Sequence, residues 1–479
     1  MKNKIINSIS LFLIFLFFHS CGTNPSSGQK EIIIMSESQE DSIGANEHPK
    51  IVKEFGGIYN NVKLQNYVES LGDFLVSTSE LPDKEFKFTI LDTPIINAFA
   101  LPGGYIYLTR GLIYLCQNEA QLAGVIAHEI GHITARHTAK RYTQTVGTSV
   151  LANILGVLVQ NNAFGNLINQ SASLYLLSFS RGQEYEADLL ATRYMVRAGF
   201  DPKEMANFLK KMEDYSILQK KITKSTKNSA ELLQTHPNSS KRVREVVDEI
   251  QEKIPINPII GKEVFLKKID GMLFGSKPDD GYFHKNRFIH KPLGISFTFE
   301  DEFYFINNPK FLLGLTKDET KVFFDIDNES ELNDLTYLSK WAKKSKKEIK
   351  NFYSSKINNF IISSGIITKS SKKIRLVIIR SQKSIYRFAM ISNEKEFSNY
   401  NEKMEKIINS FRRINDDLEI QNLNPPKIRI VSHSKKEKSL TDILQKNNIQ
   451  PRFSEDFFEL FNNIQNRKKD FPEKIKMFY

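Results

Sequence analysis

The sequence predicts a mainly helical α+β domain, then an α+β second domain and a small basic C-terminal module. Apolar residues recur with helical spacing through most of residues 21–250, with one strand-like stretch at 86–113. Strand patterns predominate after the Pro-containing stretch "EKIPINPIIGKE", residues 252–263. A chain of 479 residues is also too long for one ordinary domain, so more than one hydrophobic core is expected.

The first twenty residues have the pattern of a secretory signal peptide. Lys2 and Lys4 precede the apolar run "ISLFLIFLFF", which is too short to remain as a membrane span. Cleavage before Cys21 would leave an N-terminal cysteine, the position that is lipidated in bacterial lipoproteins, although His19 is atypical there. We predict an exported, periplasmic protein anchored to the outer membrane through a lipid on Cys21. Cleavage to a soluble periplasmic form is the alternative.

Cysteine content and charge exclude some classes of protein. The only other cysteine, Cys116, lies in an apolar stretch and is predicted to be a buried free thiol, so no disulfide is implied. The net charge is +12, and because residues 1–250 hold 25 basic and 25 acidic side chains, the excess lies after residue 250. A basic second half suits anionic lipid or cell-wall polymer, or is simply a solvated lysine-rich face. No nucleic-acid motif is present, and no nucleic-acid partner is expected.

Helices and a strand pair are predicted in order along the first domain. Residues 54–82 have the spacing of one helix, and residues 86–113 alternate like strands around a Pro-Gly-Gly turn. Asn118 has Gln121 three residues later and is predicted to cap the helix that follows. A further helix is predicted over 181–199, closed by Gly199, and another begins after the Asp-Pro pair at 201.

Residues after 250 are predicted to form two further units. We predict a linker at 251–279, an α/β accessory domain at 280–415 and a second linker at 416–426. The accessory domain should contain a hairpin that turns near Gln382 and a closing helix. The remaining residues, 427–479, form a small basic module with one strand and two helical stretches.

The stretch "HEIGH" carries the pattern of a metal site with a neighbouring base. His128 and His132 are four residues apart, so on a helix both imidazoles lie on one face and reach one ion. Glu129 falls beside them, where its carboxylate can reach a water on that ion. The sequence therefore predicts a zinc site that uses two histidines and needs a third ligand.

Two places in the chain offer that third ligand. His137 is one residue out of register for the pattern in which a third histidine follows on the same segment, because position 138 is Thr138. His137 and Arg136 are predicted instead to be a pair of basic charges at the C-terminus of the helix, where they interact with its dipole. In "SRGQEYEADLLA", Glu184 can complete the ligand set, and Asp188 one turn later can accept a hydrogen bond from a ligand histidine.

These motifs carry a family resemblance. The order "NAFALPGGYIYLTRGLI", "NEAQLAGVIAHEIGHI", "SRGQEYEAD" and "THP" resembles the HtpX and CAAX-prenyl-protease class of gluzincin metallopeptidases, in its exported, BepA-like lipoprotein branch. The resemblance covers roughly residues 21–250 and implies a zincin-type peptidase domain. It implies that His128, His132 and Glu184 bind one Zn²⁺ per chain, that Glu129 is the general base and that Asp188 orients a ligand.

The resemblance also gives a meaning to two other stretches. Residues Asn97, Ala98, Phe99 and Ala100 would form an edge strand that binds an extended peptide by strand addition, although an ordinary core hairpin remains the alternative. His236 would be a catalytic residue that stabilises the oxyanion or a group that caps the metal, and a structural loop histidine is the alternative. Arg242 is a weaker candidate for a direct role.

The function predicted is that of a zinc endopeptidase acting on unfolded or misassembled envelope proteins, in quality control or together with the outer-membrane assembly machinery. The alternative is a latched or weakly active protease that acts mainly as a chaperone or scaffold through its basic second half. Residues 280–415 weakly resemble PsbP and Mog1 proteins. Residues 427–479 very weakly resemble LysM repeats, which would make the module a cell-wall anchor.

Overall fold

The computed structural model describes most of the chain after residue 20: residues 21–144, 178–223, 254–308, 310–416, 418–432, 455–464 and 472–478, with His236, Arg242, 244–246 and Asp248. The predicted signal peptide lies outside the described residues. Within these ranges, no helix is both long enough and apolar enough to cross a membrane.

The first part of the chain is mainly helical and has a small sheet. Its helices are α1 (Glu37–Glu54), α2 (Val62–Ser77), α3 (Arg110–Leu115), α4 (Glu119–Thr134), α5 (Arg181–Arg197), α6 (Lys203–Thr223) and α7 (Lys262–Ile269). Its strands are β1 (Cys21–Thr23), β2 (Lys30–Ile32), β3 (Lys87–Leu91), β4 (Ala98–Leu101) and β5 (Tyr105–Thr109). One core forms around α4, which is buried along nearly its whole length and contacts α2, α5 and α6.

The helix predicted over residues 54–82 is in fact the end of one helix and the whole of another. Gly56 and Gly57 both have positive φ angles, at 88° and 100°, a backbone region that glycine adopts without steric cost. The chain therefore leaves α1 after Glu54 and re-enters a helix at Val62, where the Asn61 side chain accepts a hydrogen bond from the Leu64 N–H.

A three-stranded sheet lies beside α4. Its strand order is β3-β5-β4, with β3 parallel and β4 antiparallel to β5. Gly103 and Gly104 turn the chain between β4 and β5 with φ angles of 80° and 90°. Strand β4, which carries three of the four residues predicted for the substrate edge, is thus at the sheet margin next to α4.

The second part of the chain is rich in β-structure. It contains β6 (Tyr282–His284), β7 (Arg287–His290), β8 (Ile295–Thr298), β9 (Tyr304–Asn308), β10 (Phe311–Leu315), β11 (Lys321–Asn328), α8 (Asp334–Ala342), β12 (Lys350–Ile357), β13 (Phe360–Lys369), β14 (Lys372–Arg380), β15 (Ser384–Asn393), α9 (Glu394–Asn409), β16 (Arg412–Arg413) and α10 (Leu418–Gln421). A seven-stranded antiparallel sheet, β12-β13-β14-β15-β11-β10-β9, packs α8 on one face and α9 on the other. The hairpin β14–β15 turns around Gln382, as predicted.

The stretch predicted to be a linker at 251–279 is different in the structure. Helix α7 begins inside it, and Phe265, Leu266 and Ile269 are buried in the same core as α4. Phe265, Leu266 and Ile269 share one face of this helix, but eight residues between Pro-containing stretches are too few for that pattern to stand out from a linker. The chain thus returns to the first core before it enters the second part.

The C-terminal residues also return to the first core. Their described part contains β17 (Ile428–Ser432), α11 (Glu455–Asn462) and β18 (Lys474–Phe478), which is two strands and one helix instead of the predicted one strand and two helices. β17 and β18 pair antiparallel, and Phe461 and Phe478 are buried in the core around α4. The segments that precede and follow the sheet-rich part in the chain therefore both pack on the helical part.

Candidate metal centre

Helix α4 presents His128, Glu129 and His132 to a buried space. As predicted, Asn118 is its N-cap and accepts a hydrogen bond from the Gln121 N–H at 2.8 Å. The side chains of His128, Glu129 and His132 are 4%, 1% and 2% exposed. Burying three such polar side chains costs free energy unless each is hydrogen-bonded, ion-paired or bound to a metal. The groups around them therefore indicate which kind of site this is.

A glycine lets α4 and α5 approach closely at this point. A Cβ on Gly131 would lie 3.1 Å from the Ala187 carbonyl oxygen and 3.3 Å from its Cα. Ala187 lies between Glu184 and Asp188 on α5, a helix capped by Ser180 and Gln183 in a reciprocal capping box. The close approach therefore places both carboxylates of α5 against the histidines of α4.

Four potential ligand atoms converge between these helices. His128 Nε2 lies 3.0 Å from His132 Nε2 and 3.2 Å from His236 Nδ1. Glu184 Oε1 lies 2.9 Å from His236 Nδ1 and 3.5 Å from His132 Nε2. A tetrahedral zinc ion with bonds of about 2.0–2.1 Å separates its ligand atoms by about 3.3 Å. The observed distances lie on either side of that value.

The other nitrogens of the two α4 histidines each have a close polar neighbour, which for His128 is an ion-pair contact without hydrogen-bond alignment. His128 Nδ1 lies 2.9 Å from Asp188 Oδ1, and His132 Nδ1 lies 2.8 Å from His137 Nδ1. Each Nε2 is therefore free to direct a lone pair at a shared cation, since a neutral imidazole has one N–H and one acceptor nitrogen. This assignment of tautomers follows from the contacts, and it is the arrangement that metal-ligating histidines adopt.

Five of the nine buried polar atoms that have no hydrogen-bond partner among the described residues belong to this centre. They include both carboxylate oxygens of Glu129 and Nε2 of His236. His236 Nε2 is 3.7 Å from Glu129 Oε1. Orphaned buried polar atoms are rare in folded proteins and indicate a missing ligand, ion or water. The donor set and these atoms together fit a zinc ion with a base beside it.

Arg242 compensates the buried carboxylates of α5. Its Nε and Nη2 each donate to Asp188 at 2.5 Å, and its Nη1 lies 2.6 Å from Glu184 Oε2. Burial would raise the pKa of Glu184, but His236, His132 and Arg242 outweigh it and hold that pKa well below the usual range. Burial likewise opposes ionisation of Asp188, and Arg242 and His128 overcome it and lower its pKa. Both groups are therefore carboxylates at neutral pH.

The pKa values of Glu129, His132 and His236 shift in other directions than those of Glu184 and Asp188. Burial raises the pKa of Glu129, an effect that His236 and His128 only partly offset. Burial holds the pKa of His132 well below its usual value, which favours the neutral, metal-binding imidazole. Burial also disfavours charge on His236, but the Glu184 and Glu129 carboxylates more than compensate and raise its pKa. For Glu129, the raised pKa suits a general base, which must take up a proton and later release it.

His137 and Arg136 directly follow the C-terminal end of α4, and each contacts a different acidic side chain. His137 is fully buried, contacts His132 through Nδ1, and lies 3.1 Å from Glu186 Oε2 through Nε2. Arg136 instead lies 3.2 Å from Glu40 on α1. The reason is geometric: Arg136 has a positive φ of 53°, so the chain turns after α4 and sends the two side chains in different directions.

Residues Asn97 to Ala100 lie in and just before the margin strand β4 and are buried, with exposures of 5% or less. A cavity of about 40 Å³ opens between the end of this strand at Ala100 and Leu101 and the end of α4 at His132 and Arg136. Glu40 and Pro25 close it on the N-terminal side. The strand margin and the metal centre therefore face one small cleft.

Four residues that contribute to this centre carry little signal in the sequence. Arg242 stands in an ordinary lysine- and arginine-containing stretch, and only its spacing after His236 hints at a role. Glu186 is two residues from Glu184, about 200° around a helix, so the pattern places it away from the ligand face. Asn24 and Ser26, which contact Glu186, are about 160 residues distant from it in the chain.

Comparison with known proteins places this centre in context. The profile of Peptidase family M48 matches residues 62–250, which include all four residues of the donor set. The beta-barrel assembly-enhancing protease of Yersinia pestis is 32% identical over 203 residues, 40% of each chain. The protein of the same name from Escherichia coli K12 is 29% identical over 263 residues, 53% of this chain and 52% of that one.

A eukaryotic relative is similar over a comparable length. Mitochondrial metalloendopeptidase OMA1 of Schizosaccharomyces pombe is 27% identical over 234 residues, 48% of this chain and 66% of that protein. The chain spans about half the length of the bacterial relatives it matches.

Among solved structures, cyanobacterial PsbP from Synechocystis is similar, with 9% identity and a TM-score of 0.22 over 26% of this chain and 91% of that one. That TM-score is too low to support an inference about fold, and the PsbP and Mog1 resemblance stays a prediction.

Proposed function

We propose that this chain, whose residues 62–250 match the profile of Peptidase family M48, is a zinc-dependent endopeptidase. The observation that carries the proposal is the convergence of four ligand atoms, from His128, His132, Glu184 and His236, within 4.8 Å of one another in a buried space. The unpaired carboxylate of Glu129 adjoins them. Two imidazoles and a carboxylate are the ligands of a catalytic zinc that keeps its fourth position for water or substrate.

Each side chain of the centre then has a distinct task. His128, His132 and Glu184 would hold the ion, and Asp188 would keep His128 in the tautomer that directs Nε2 at it. Bound zinc supplies Lewis-acid polarisation of a peptide carbonyl and lowers the pKa of water toward about 7. Glu129 takes the proton from the attacking water and delivers it to the leaving amine. Its raised pKa brings its proton affinity closer to both of those groups.

The position of His236 determines whether the bound metal would have a coordination position left for water or substrate. Its Nδ1 lies among the donor atoms, so in this arrangement it would be a fourth protein ligand. A zinc ion with four protein ligands has no position for water or substrate, which is typical of structural rather than catalytic sites. We propose that His236 caps the metal in the resting protein and leaves it when substrate enters. This supports the alternative of a latched protease.

The proposed substrate is an extended polypeptide. Strand β4 is at the margin of its sheet, and its end shares a small cleft with His132. An unfolded segment could add to that margin by backbone hydrogen bonds, with its scissile bond near the metal centre. The bacterial relatives are named for enhancing β-barrel assembly. We therefore propose unfolded or misassembled envelope proteins as substrates, outer-membrane assembly machinery as a partner, and a periplasmic location with a lipid anchor at Cys21.

The deciding experiment compares the mature chain with its Glu129→Gln variant. We expect both to bind one zinc ion, because Glu129 is not among the four donors. Only the first should cleave unfolded casein, and a chelator should abolish that cleavage. Cleavage by Glu129→Gln at the wild-type rate would remove the base from the mechanism. A wild-type chain that binds no zinc would refute the proposed function.

A further inference from the structure

The N-terminal segment is connected to the metal centre through a chain of hydrogen bonds between five side chains. His132 Nδ1 contacts His137 Nδ1 at 2.8 Å, and His137 Nε2 contacts Glu186 Oε2 at 3.1 Å. Glu186 Oε1 in turn accepts from Ser26 Oγ at 2.9 Å and from Asn24 Nδ2 at 3.3 Å. The hairpin between β1 and β2 thus reaches a predicted zinc ligand through side chains of α5 and the segment that follows α4.

The direction of each hydrogen bond follows from the chemistry of the groups. If His132 Nε2 binds the metal, its Nδ1 carries the proton and must donate to His137 Nδ1. His137 then carries its own proton on Nε2 and donates it to the Glu186 carboxylate. Reversing any one bond would set two donors or two acceptors face to face. The chain therefore specifies one tautomer for His132, and that tautomer has its lone pair on the metal side.

Asn24 and Ser26 complete the surroundings of Glu186. Asn24 is 1% exposed, and its Oδ1 already accepts the Ser26 N–H at 2.9 Å. Ser26 Oγ lies 2.7 Å from that same Oδ1 and 2.9 Å from Glu186 Oε1, so its single hydroxyl proton has two acceptors. Hydrogen bonds to carboxylates are stronger than neutral ones, which favours donation to Glu186. Lys140 Nζ lies 3.7 Å from Glu186 Oε2 and 2.8 Å from Glu31 Oε2, which adds positive charge on the same side.

We propose that Glu186, held by Asn24 and Ser26, is a positioning residue that orients the metal ligand His132 through His137. This inference rests on the proposed zinc site and adds to it a role for the N-terminal segment. Partners of this kind typically change metal affinity or activity by about 10- to 100-fold when they are removed. Asn24 and Ser26 act one step further away, so their loss should have a smaller effect than the loss of Glu186.

The N-terminal segment stays docked without this contact, which makes the proposal testable. Arg136 Nη2 donates to the Met35 carbonyl at 2.7 Å, and the Ile34 N–H donates to Thr143 Oγ1 at 3.1 Å. Ile33 and Met35 are buried against Ala139. Substitutions at Asn24 and Ser26 should therefore leave the segment in place while they release Glu186.

The test measures zinc affinity by competition with a chromogenic chelator, using the full mature chain. We expect Glu186→Ala to weaken zinc binding at least tenfold and to change the visible spectrum of the cobalt-substituted protein. Glu186→Gln should largely restore both, because its amide oxygen can still accept from His137. The Asn24→Ala/Ser26→Ala variant should weaken binding by a smaller factor.

The neighbouring serine supplies a matched control. Ser27 Oγ accepts only the Gln29 N–H, at 3.3 Å, among the described residues, so Ser27→Ala should bind zinc like the wild type. If Glu186→Ala lowers the melting temperature of the zinc-free protein but leaves zinc affinity and the cobalt spectrum unchanged, the role is only structural and the inference is overturned. A wild-type chain without zinc affinity would instead overturn the proposed function itself.

Discussion

Gly131 on α4 and Ala187 on α5 contact each other so closely that a single added methyl group would lie 3.1 Å from the Ala187 carbonyl oxygen. This contact sets the distance between the helix that carries His128 and His132 and the helix that carries Glu184. The backbone of α5 cannot give way as a flexible side chain can, because both helices are packed into one core.

We therefore expect Gly131→Ala to damage the metal centre. Forcing the helices apart by a few tenths of an ångström should destabilise the protein by about 1–3 kcal/mol. It should also weaken zinc binding, since the donor atoms come from both helices. Urea unfolding and chelator competition measure the two effects.

Gly124→Ala is the matched control on the same helix. Its added Cβ would meet Met205 Sδ at 3.1 Å and Met195 Sδ at 3.3 Å, both on flexible side chains that can move. Alanine also favours helix by up to about 1 kcal/mol over glycine. If both variants lose zinc affinity equally, the Gly131 contact is not what sets the geometry of the centre.

Arg242 is predicted to be more important than its surroundings suggest. Arg242→Ala would leave Asp188 and Glu184 buried without their shared cation, and breaking a buried pair costs about 3–5 kcal/mol. Arg242→Lys should recover little of this, because an ammonium cannot donate to Asp188 in two parallel hydrogen bonds. Urea unfolding of the zinc-free chain measures the loss. Arg193→Ala, which breaks a partly exposed pair with Glu80, should cost about 1 kcal/mol or less.

His236→Ala tests whether this residue caps the metal. Three donors would remain, so zinc should still bind, but with lower affinity, and the fourth position would open to water. We expect a several-fold rise in cleavage of unfolded casein. A large fall in turnover with an unchanged Michaelis constant would instead identify His236 as a donor to the oxyanion.

Stability should depend on pH through a buried lysine far from the metal. Lys211 on α6 donates to the Leu460 carbonyl on α11 at 2.7 Å, and burial lowers its pKa to about 7 from 10.5. The folded chain therefore binds fewer protons than the unfolded chain between about pH 7 and 10.5, and its stability should rise with pH across that range.

Lys211→Met should reduce the slope of the free energy of unfolding against pH, whereas substitution of the exposed neighbour Lys210 by Met should leave it unchanged. Lys476, which is also buried and has a lowered pKa, would keep part of the slope in the Lys211 variant. Equal slopes in the wild type and Lys211→Met would show that Lys211 is charged in the folded protein.

The main parts of the metal centre could be predicted from local spacing. His128 and His132 on one helix, and Glu184 and Asp188 on another, are each four residues apart, and a helix brings such pairs to one face whatever surrounds it. The cap at Asn118 is local in the same sense, because it involves residues three apart. Composition and strand patterns likewise indicated the sheet-rich second part.

Other features depended on contacts between distant segments, which spacing does not encode. Only the fold brings Arg242 to Asp188, Ser26 to Glu186, and Phe478 into the core around α4. The same holds for α7, whose burial contradicts the linker-like composition of its stretch. Helical periodicity determined which side chains share a face, and the tertiary structure decided what that face meets. Burial then determined their charge, because desolvation and paired charges act only after the chain has packed.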